Sequence, residues 1–282
     1  MSDRADPIDP QAAVDAARHL VALRPLLVVT DFDGTLSHIV DDPWAAAILP
    51  AGRLALRALA GTPGLHVSVL SGRTARDVAQ RVRVGNVTYL GNHGMERAYL
   101  PRHGRAEGLM VPAADGQAHA AGHLADDLAS QLPRLVPEPW LVIERKPPAV
   151  AFHFRQAPDV AAAAARVRAA VDELDPDGRL ERFPGRRVLE LRPFGAVAKG
   201  DALRELIDEV EPRGVLLLGD DISDALAFRE LRVARDGGVV DGLAVAIQAR
   251  AEVPPEVAAE ADFVLRSPIA AARFLAAFAR SL

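Results

Sequence analysis

Two aspartates that directly follow a run of apolar residues indicate where this chain could do chemistry. The stretch "LLVVTDFDGTL", Leu26–Leu36, places Asp31 and Asp33 after a segment typical of a buried strand. Residues two apart in an extended segment point the same way, so both carboxyls can reach one phosphate, one ionised as nucleophile and the other protonated as acid. Gly34 permits the tight turn that brings backbone amides against phosphate oxygens. The pattern predicts phosphoryl transfer.

Other reactive residues lie near the ends of further apolar segments. They are Ser71 and Gly72 after "LHVSVL", Asp220 and Asp221 after "VLLLG" with Asp224 one helical turn later, and Lys199 at the start of the preceding helix. Because ligands of an open parallel sheet sit beyond the carboxyl ends of its strands, we expect these side chains to converge at one edge. Clustered carboxylates need a cation, and Mg²⁺ takes carboxylates, carbonyls and water. The sequence therefore predicts a magnesium site where metal and lysine neutralise charge during phosphoryl transfer.

The elements that must position these residues follow a βαβαβ order, which favours a parallel sheet with right-handed crossovers. After "LLVVT" comes a helix near 52–60, then "LHVSVL", a helix that runs to about Arg83, and "VTYLGNHG". The buried pattern returns later in "VLLLGDD", "LAVAIQ" and "DFVLRS", with helices near 199–209, 223–231 and 269–280. The predicted fold class is therefore α/β with a Rossmann-like parallel sheet.

The pattern of residue types changes between about Tyr99 and Arg192, where strand-like segments alternate polar and apolar residues. The polar positions on these segments are Glu144, Lys146, His153, Arg155, Glu190 and Arg192. Helices near 118–132 and 159–174 would back the apolar face. We expect an inserted α+β domain, residues 101–192, within a core domain of residues 1–100 and 193–282. A polar face of this kind suits a hydroxyl-rich ligand such as a sugar.

Composition excludes several classes of protein. The formal net charge of −5 and the dispersed basic residues give no attraction for nucleic acid. The chain has no cysteine, so any metal must be held by oxygen or histidine. No apolar run approaches the roughly 18 residues of a membrane span, and "MSDRADPIDP" lacks the basic region and apolar stretch of a secretory leader. We expect a cytoplasmic protein without a membrane or nucleic-acid partner, either a monomer or a weak homo-oligomer.

Lysine is rare in this chain, because only Lys146 and Lys199 among its 33 basic residues are not arginine. A planar guanidinium cannot replace a compact ammonium charge at every site. The two lysines are therefore candidates for sites that need such a point charge.

Four segments in order resemble the motifs of the haloacid dehalogenase superfamily of phosphohydrolases. They are "DFDGTL", "LSGR", the lysine of "AVAKGDAL", and "LGDDISD". The resemblance implies Asp31 as the nucleophile that forms an aspartyl-phosphate, and Asp33 as general acid to the leaving alcohol and then base to water. It also implies that Ser71 and Lys199 hold the transferring phosphoryl group.

The same resemblance implies a ligand set for the metal and a role for the insertion. Mg²⁺ would be bound by Asp31, the backbone carbonyl of Asp33 and Asp220, with Asp221 or Asp224 close behind. The core would have the haloacid dehalogenase fold, and the inserted domain would be a mobile cap that excludes water and selects the substrate.

Three further segments are similar to trehalose-6-phosphate phosphatases, and this resemblance runs from about residue 26 to residue 275. "GNHGMER" matches that family's G-x-H-G-x-E, "ERKPPAVAFHFR" its E-x-K followed by H-x-R, and "LELRPFGAVAKG" its E-x-R-P leading to K-G. The resemblance implies Mg²⁺-dependent hydrolysis of trehalose 6-phosphate, the last step of trehalose biosynthesis. The residues it implies for binding this small sugar phosphate are Gly72, Arg73, Asn92, His93, Gly94, Glu144, Lys146 and Glu190.

One departure leaves alternatives open. The family's last motif reads G-D-D-x-T-D-E, whereas this chain has Ser223 in place of the threonine and Ala225 in place of the final glutamate. The substrate could therefore be another sugar phosphate, of the sucrose 6-phosphate or glucosylglycerol phosphate type. A sugar-phosphate mutase and a non-catalytic sugar-phosphate sensor are the other hypotheses.

Overall fold

The structure is a computed structural model that describes residues 7–40, 42–111, 116–185, 187–249 and 253–282. The chain divides into two compact units, Met1–Pro112 with Val197–Leu282, and Ala113–Ala196. Residues 1–6 of "MSDRADPIDP" lie outside the described residues. Ala106 and Leu109 are buried in the apolar core of the first unit, which therefore extends past residue 100. That the two units act as a catalytic core and a cap stays a prediction.

Strands and helices alternate along most of the first unit, whereas the second unit has the order helix, two strands, helix, two strands. The strands are β1 (Pro7–Ile8), β2 (Leu26–Thr30), β3 (Leu65–Leu70), β4 (Val87–Gly91), β5 (Glu96–Leu100), β6 (Val142–Lys146), β7 (Ala149–His153), β8 (Glu181–Gly185), β9 (Val188–Arg192), β10 (Gly214–Gly219), β11 (Asp241–Ile247) and β12 (Phe263–Leu265). The helices are α1 (Pro10–Ala16), α2 (Pro50–Gly61), α3 (Ala75–Val82), α4 (Gly116–Leu135), α5 (Val160–Leu174), α6 (Lys199–Val210), α7 (Ile222–Asp236), α8 (Pro255–Glu260) and α9 (Pro268–Ser281). None of the described helices is both long and apolar enough to span a bilayer.

The first unit contains an eight-stranded sheet in the order β1-β12-β11-β10-β2-β3-β4-β5. All neighbouring strands are parallel except β4 and β5, which are antiparallel. Strands β2 and β10 are neighbours in the middle of the sheet. From β2 the chain continues to β3 and builds the sheet in one direction, whereas from β10 it continues to β11 and builds the sheet in the opposite direction. This is a topological switch point, the place where open α/β sheets bind their ligands. The predicted fold class, α/β with a parallel sheet, is confirmed.

Strand β2 is buried along its whole length because both of its faces are covered. Leu26 and Val28 belong to an apolar cluster that includes side chains of α2, α3 and α9, whereas Leu27 and Val29 belong to one that includes side chains of α6 and α7. The alternation continues beyond the strand, since Phe32 packs in the first cluster. Asp31 therefore lies on the side of α6 and α7.

The second unit contains a four-stranded antiparallel sheet in the order β6-β7-β9-β8. Phe152 and Leu189 pair across neighbouring strands and pack with α4 and α5 in one apolar cluster. On the other face, Glu144 and Glu190 both pair with Ala151 of the strand between them. The alternation predicted this arrangement, but β7 ends at His153. Arg155 lies in the turn that follows, because the chain leaves the sheet there, and is not a strand residue as expected.

Candidate active site

A buried lysine joins the end of β2 to two helices of the first unit. Lys199 is the first residue of α6, and its side chain is only 2% exposed. Its Nζ donates to Asp31 Oδ1 at 2.8 Å and to Asp224 Oδ1 at 2.7 Å. The register of the sheet explains the meeting, because Thr30 pairs with Leu218 and the residues that follow both strands reach the same edge. Burial alone would lower the pKa of Lys199, but Asp224 and Asp31 raise it, so the ammonium stays charged.

Three buried carboxylates gather around this lysine. Asp31, Asp220 and Asp224 each offer one oxygen, and these atoms lie within 4.8 Å of one another. Burial raises the pKa of Asp31 to about 6 although Lys199 opposes the shift, and burial with repulsion from Asp31 also raises the pKa of Asp220. Gly34, with φ of +87°, lies so close to Asp220 that a Cβ would overlap its carboxylate. Such an excess of buried negative charge on oxygen donors is compatible with a divalent metal.

Asp221 and Asp224 differ in what they contact. Asp221 is the N-cap of α7, and its Oδ1 accepts hydrogen bonds from the backbone N–H of Ser223 at 2.9 Å and from the Ser223 hydroxyl at 2.6 Å. Burial would raise the pKa of Asp221, but Lys199 and Ser223 lower it to about 2. Asp224 Oδ2 accepts from the backbone N–H of Asp220 and of Asp221. The structure therefore brings Asp224, and not Asp221, into the carboxylate cluster.

Asp33 points to a different partner from Asp31. Both of its oxygens accept from Arg73, whose Nε lies 2.6 Å from Oδ2 and whose second terminal nitrogen lies 2.8 Å from Oδ1. The remaining terminal nitrogen of Arg73 donates to Asp77 at 3.0 Å. Burial would lower the pKa of Arg73, but its bonds to Asp33 raise it. The carboxyl side chain of Asp33 is 39% exposed, so it can still meet a ligand.

The residues after β3 and after β4 are joined by backbone hydrogen bonds. The N–H of His93 donates to the carbonyl of Ser71 at 3.0 Å, and the N–H of Asn92 donates to the carbonyl of Arg73 at 2.7 Å. A Cβ on Gly72 would lie 2.9 Å from the ring of His93, so glycine is needed for this close approach. The structure thus brings "LSGR" and "GNHG" together at the same edge as Asp31.

Glu96 supports this pair of segments, a role that sequence reasoning did not assign. Its Oε1 accepts from the side-chain amide of Asn92 at 2.9 Å, and its Oε2 accepts from the N–H of Ala75 at 2.6 Å. The glutamate of "GNHGMER" was a visible signal, but nothing in the sequence named its partners. Gly94 has φ of +117° and packs against Ala202, so it serves to turn the chain away from the edge.

The sugar-contact candidates form two pairs on the second sheet. Lys146 Nζ lies 2.6 Å from Glu190 Oε2, and the two side chains are 5% and 7% exposed. His153 Nε2 lies 2.9 Å from Glu144 Oε2. The sheet register explains both pairs, because these residues share one face of β6, β7 and β9. The structure therefore places Glu144, Lys146 and Glu190 on one face of the sheet, and their contact with a sugar stays a prediction.

Comparison with known families agrees with this geometry. The sequence model of the trehalose-phosphatase family matches residues 29–252, which include the last two residues of β2, the carboxylate cluster and the whole second sheet. The chain belongs to the trehalose-phosphatase family.

Several relatives of this trehalose-phosphatase family member are named as phosphatases. The "Trehalose-phosphate phosphatase" of Mycobacterium avium is 37% identical over 274 residues, which cover 94% of this chain but 64% of the relative. The chain thus spans 64% of the length of that curated relative.

Solved structures share the fold. The C-terminal domain of trehalose-6-phosphate phosphatase from Candida albicans has a TM-score of 0.75 at 22% identity, with 99% of each chain covered. The C-terminal domain of the trehalose synthase regulatory protein of the same organism has a TM-score of 0.67 at 13% identity, with 96% of this chain and 99% of that chain covered. These likenesses concern the fold alone, so activity must be argued from the side chains of the site.

Proposed function

We propose that the protein is a phosphatase that hydrolyses trehalose 6-phosphate to trehalose and phosphate with the help of Mg²⁺. The observation that carries the proposal is the contact of Lys199 with Asp31 and Asp224 beside Asp220. A sensor that only binds a sugar phosphate needs no such cluster of buried carboxylates. Location in the cytoplasm and a monomeric or weakly associated state stay predictions.

The residues of the first unit would divide the chemistry among them. Asp31, Asp220 and Asp224, with the backbone carbonyl of Asp33, would hold Mg²⁺, which supplies a Lewis acid that neutralises charge on the phosphoryl oxygens. Lys199 has three N–H groups, of which two serve Asp31 and Asp224, so the third can donate to a phosphoryl oxygen. Ser71 would donate its hydroxyl to the same group.

The proposed reaction has two steps. In the first, a carboxylate oxygen of Asp31 attacks phosphorus, the bond from phosphorus to the sugar oxygen breaks, and Asp33 gives its proton to that oxygen. In the second, Asp33 takes a proton from water while the water oxygen attacks phosphorus, and the bond to Asp31 breaks. The products are trehalose and phosphate, and both aspartates return to their starting states.

Recognition of the sugar is assigned to Glu144, Lys146 and Glu190. Carboxylates accept hydrogen bonds from sugar hydroxyls and an ammonium donates to them, and such charge-assisted bonds are strong. Gly72, Asn92, His93 and Gly94 are proposed to contribute to binding, because they lie at the edge where β3 and β4 end. Arg73 lies at the same edge, where it contacts Asp33 and Asp77.

The nucleophile is tested with Asp31→Asn, which keeps the size of the side chain but cannot form an aspartyl-phosphate. We expect phosphate release to fall below about one thousandth of that of the unchanged protein at saturating Mg²⁺. Asp15→Asn is the matched control, since the Asp15 side chain of α1 is exposed and pairs with the exposed Arg18. Circular dichroism checks that both variants fold. Full activity of Asp31→Asn would refute the assignment.

A second assay separates hydrolysis from the mutase hypothesis. A mutase returns the phosphate to the sugar, whereas a phosphatase releases it together with an equal amount of free sugar. We expect inorganic phosphate and trehalose to accumulate in a one-to-one ratio. An isomeric sugar phosphate as the main product would favour the mutase, and binding without any product would favour the sensor.

A further inference from the structure

Four side chains of alternating charge form a row that ends at the proposed acid and base. Arg73 contacts Asp33 at 2.6 and 2.8 Å and Asp77 at 3.0 Å, and Arg81 contacts the same oxygen of Asp77 at 2.8 Å. Arg73 and Asp77 are four residues apart, as are Asp77 and Arg81, so α3 and its N-terminal approach present these three side chains on one face. The row is Asp33, Arg73, Asp77 and Arg81.

The contacts of Arg73 fix the guanidinium in one orientation. All three of its nitrogens are used, two by Asp33 and one by Asp77. A guanidinium is planar and presents its donors in a rigid fork, so holding one edge sets the direction of the other. The Arg73 side chain is only 8% exposed and its charge lies 5.6 Å from the ring centre of Phe32, so solvent screens these pairs little.

The far end of the row is fixed to the protein scaffold. The N–H of Asp77 donates to the side chain of Thr74, the N-cap of α3, which holds Asp77 in the first turn of the helix. Arg81 donates to the carbonyls of Ala46 at 2.5 Å and of Trp44 at 3.1 Å. Asp77 is thus braced by Arg81 and does not depend on Arg73 for its position.

Asp33 needs such support because of where it lies. It follows the end of β2, its side chain is 39% exposed, and Gly34 next to it has φ of +87°. A general acid must stay within hydrogen-bonding distance of the leaving oxygen, and displacement by about 1 Å can cost a large part of its effect. We propose that Asp77 is a positioning residue that, through Arg73, holds Asp33 where it can protonate the leaving alcohol.

This inference rests on the proposed phosphatase function and deepens it. It assigns Arg73 an action through Asp33 in place of the predicted contact with substrate. The two roles differ in what they do to different leaving groups. An alkyl alcohol needs a proton to leave, whereas p-nitrophenolate leaves without one. Loss of a phosphate contact would slow both substrates, but misplacement of Asp33 would slow the first step only for the alkyl ester.

The test compares kcat/KM on trehalose 6-phosphate and on p-nitrophenyl phosphate, because kcat/KM reports the steps up to transfer of the phosphoryl group to Asp31. For Asp77→Asn we expect a loss of about tenfold on the sugar ester and less than about twofold on the aryl ester. Asp77→Glu keeps the charge, so we expect it to restore most of the original ratio of kcat/KM on the sugar ester to kcat/KM on the aryl ester. The inhibition constant of inorganic phosphate should not change.

The matched control is Glu230→Gln, which removes another carboxylate with a two-point contact to arginine, that of Arg204 on the surface of α6. We expect this variant to leave kcat/KM unchanged on both substrates. A partly unfolded preparation lowers both values of kcat/KM equally, so the ratio does not depend on the folded fraction. If Asp77→Asn is not recovered folded, Arg81→Gln tests the same carboxylate and is expected to shift the ratio in the same direction.

Outcomes separate this inference from the proposed function. If the unchanged protein hydrolyses the sugar ester and Asp77→Asn loses equal activity on both esters, or none on either, the positioning role is overturned. A rise in the inhibition constant of phosphate would also overturn it, since that result assigns the row to phosphate binding. If the unchanged protein hydrolyses neither ester, the proposed function fails and this inference fails with it.

Discussion

Both lysines of the chain are buried against carboxylates. Lys146 is buried against Glu190, and Lys199 is buried against Asp31 and Asp224. In a chain whose other basic residues are arginines, both remaining ammonium groups lie where a wide planar guanidinium would displace its neighbours. The rarity of lysine was therefore a usable sequence signal, because it marked two buried charges in different units.

Lys146→Arg should affect sugar phosphates selectively. Arginine keeps the charge but is wider, so it would disturb the contact with Glu190 and the sugar contacts proposed for both residues. We expect kcat/KM on trehalose 6-phosphate to fall about tenfold and that on p-nitrophenyl phosphate to change less than about twofold. Arg145→Lys is the control, because Arg145 is the neighbouring residue on the opposite face of β6 and is 44% exposed. Equal losses on both substrates would deny Lys146 this role.

Sequence reasoning could name the site residues but not their pairing. Asp31, Asp220 and Lys199 were predictable from their positions at strand ends and at a helix start. The choice between Asp221 and Asp224 was not, because it depends on which carboxylate caps α7. The pairing of Asp33 with Arg73 also depends on side-chain directions that spacing along the chain does not set. Metal ligation and catalytic roles stay predictions.

At the level of elements, continuous apolar runs and alternating segments predicted strands correctly, whereas two edge strands were missed. The segments predicted as buried strands contain β2, β3, β10 and β11, since each is apolar and lies inside the sheet. Strands β5 and β8 were missed, because "ERAYL" and "ERFPG" carry charges or proline and both form edge strands, where one side needs no partner. The first helical segment changes its geometry along its length, since α1 ends at Ala16 and a 3-10 helix continues to Ala22.

The end of α5 offers a test of stability against pH. Asp175 is buried, and its carboxylate accepts from the N–H of Arg179 at 3.0 Å and of Leu180 at 3.2 Å. Burial alone would raise the pKa of Asp175, but these hydrogen bonds lower it. A carboxyl whose pKa is lowered on folding contributes stability that is complete above its unfolded pKa of about 4 and is lost as the pH falls through the folded value.

Asp175→Asn should therefore lower the free energy of unfolding by about 2 kcal/mol at pH 7, and by less below about pH 4. Denaturant unfolding followed by Trp140 fluorescence in a Trp44→Phe background reports on the second unit, since the chain has two tryptophans. Asp172→Asn is the control, because Asp172 is 65% exposed and its contact with Arg182 is a surface pair. The same loss at every pH would show that the charge of Asp175 does not matter.

For the whole molecule, the fold class was predictable from the residue pattern, whereas the substrate was predicted only through family resemblance and stays a proposal. Alternating apolar strands and helices specify a parallel sheet, and the register of β2 with β3 and β10 brings the reactive strand ends to one edge. The same fold occurs in the trehalose-6-phosphate phosphatase and in the trehalose synthase regulatory protein of Candida albicans, so the fold does not decide between these functions. The decision depends on the chemistry of Asp31, Lys199 and the carboxylates beside them.

The measurement that tests the central claim most directly is phosphate release by the purified protein from a panel of sugar phosphates, with Mg²⁺ and with a chelator. We predict that kcat/KM on trehalose 6-phosphate exceeds that on sucrose 6-phosphate and on glucosylglycerol phosphate by at least about tenfold. Chelation should abolish the activity, and added Mg²⁺ should restore it. Higher activity on either other ester, or release that persists after chelation, would contradict the account.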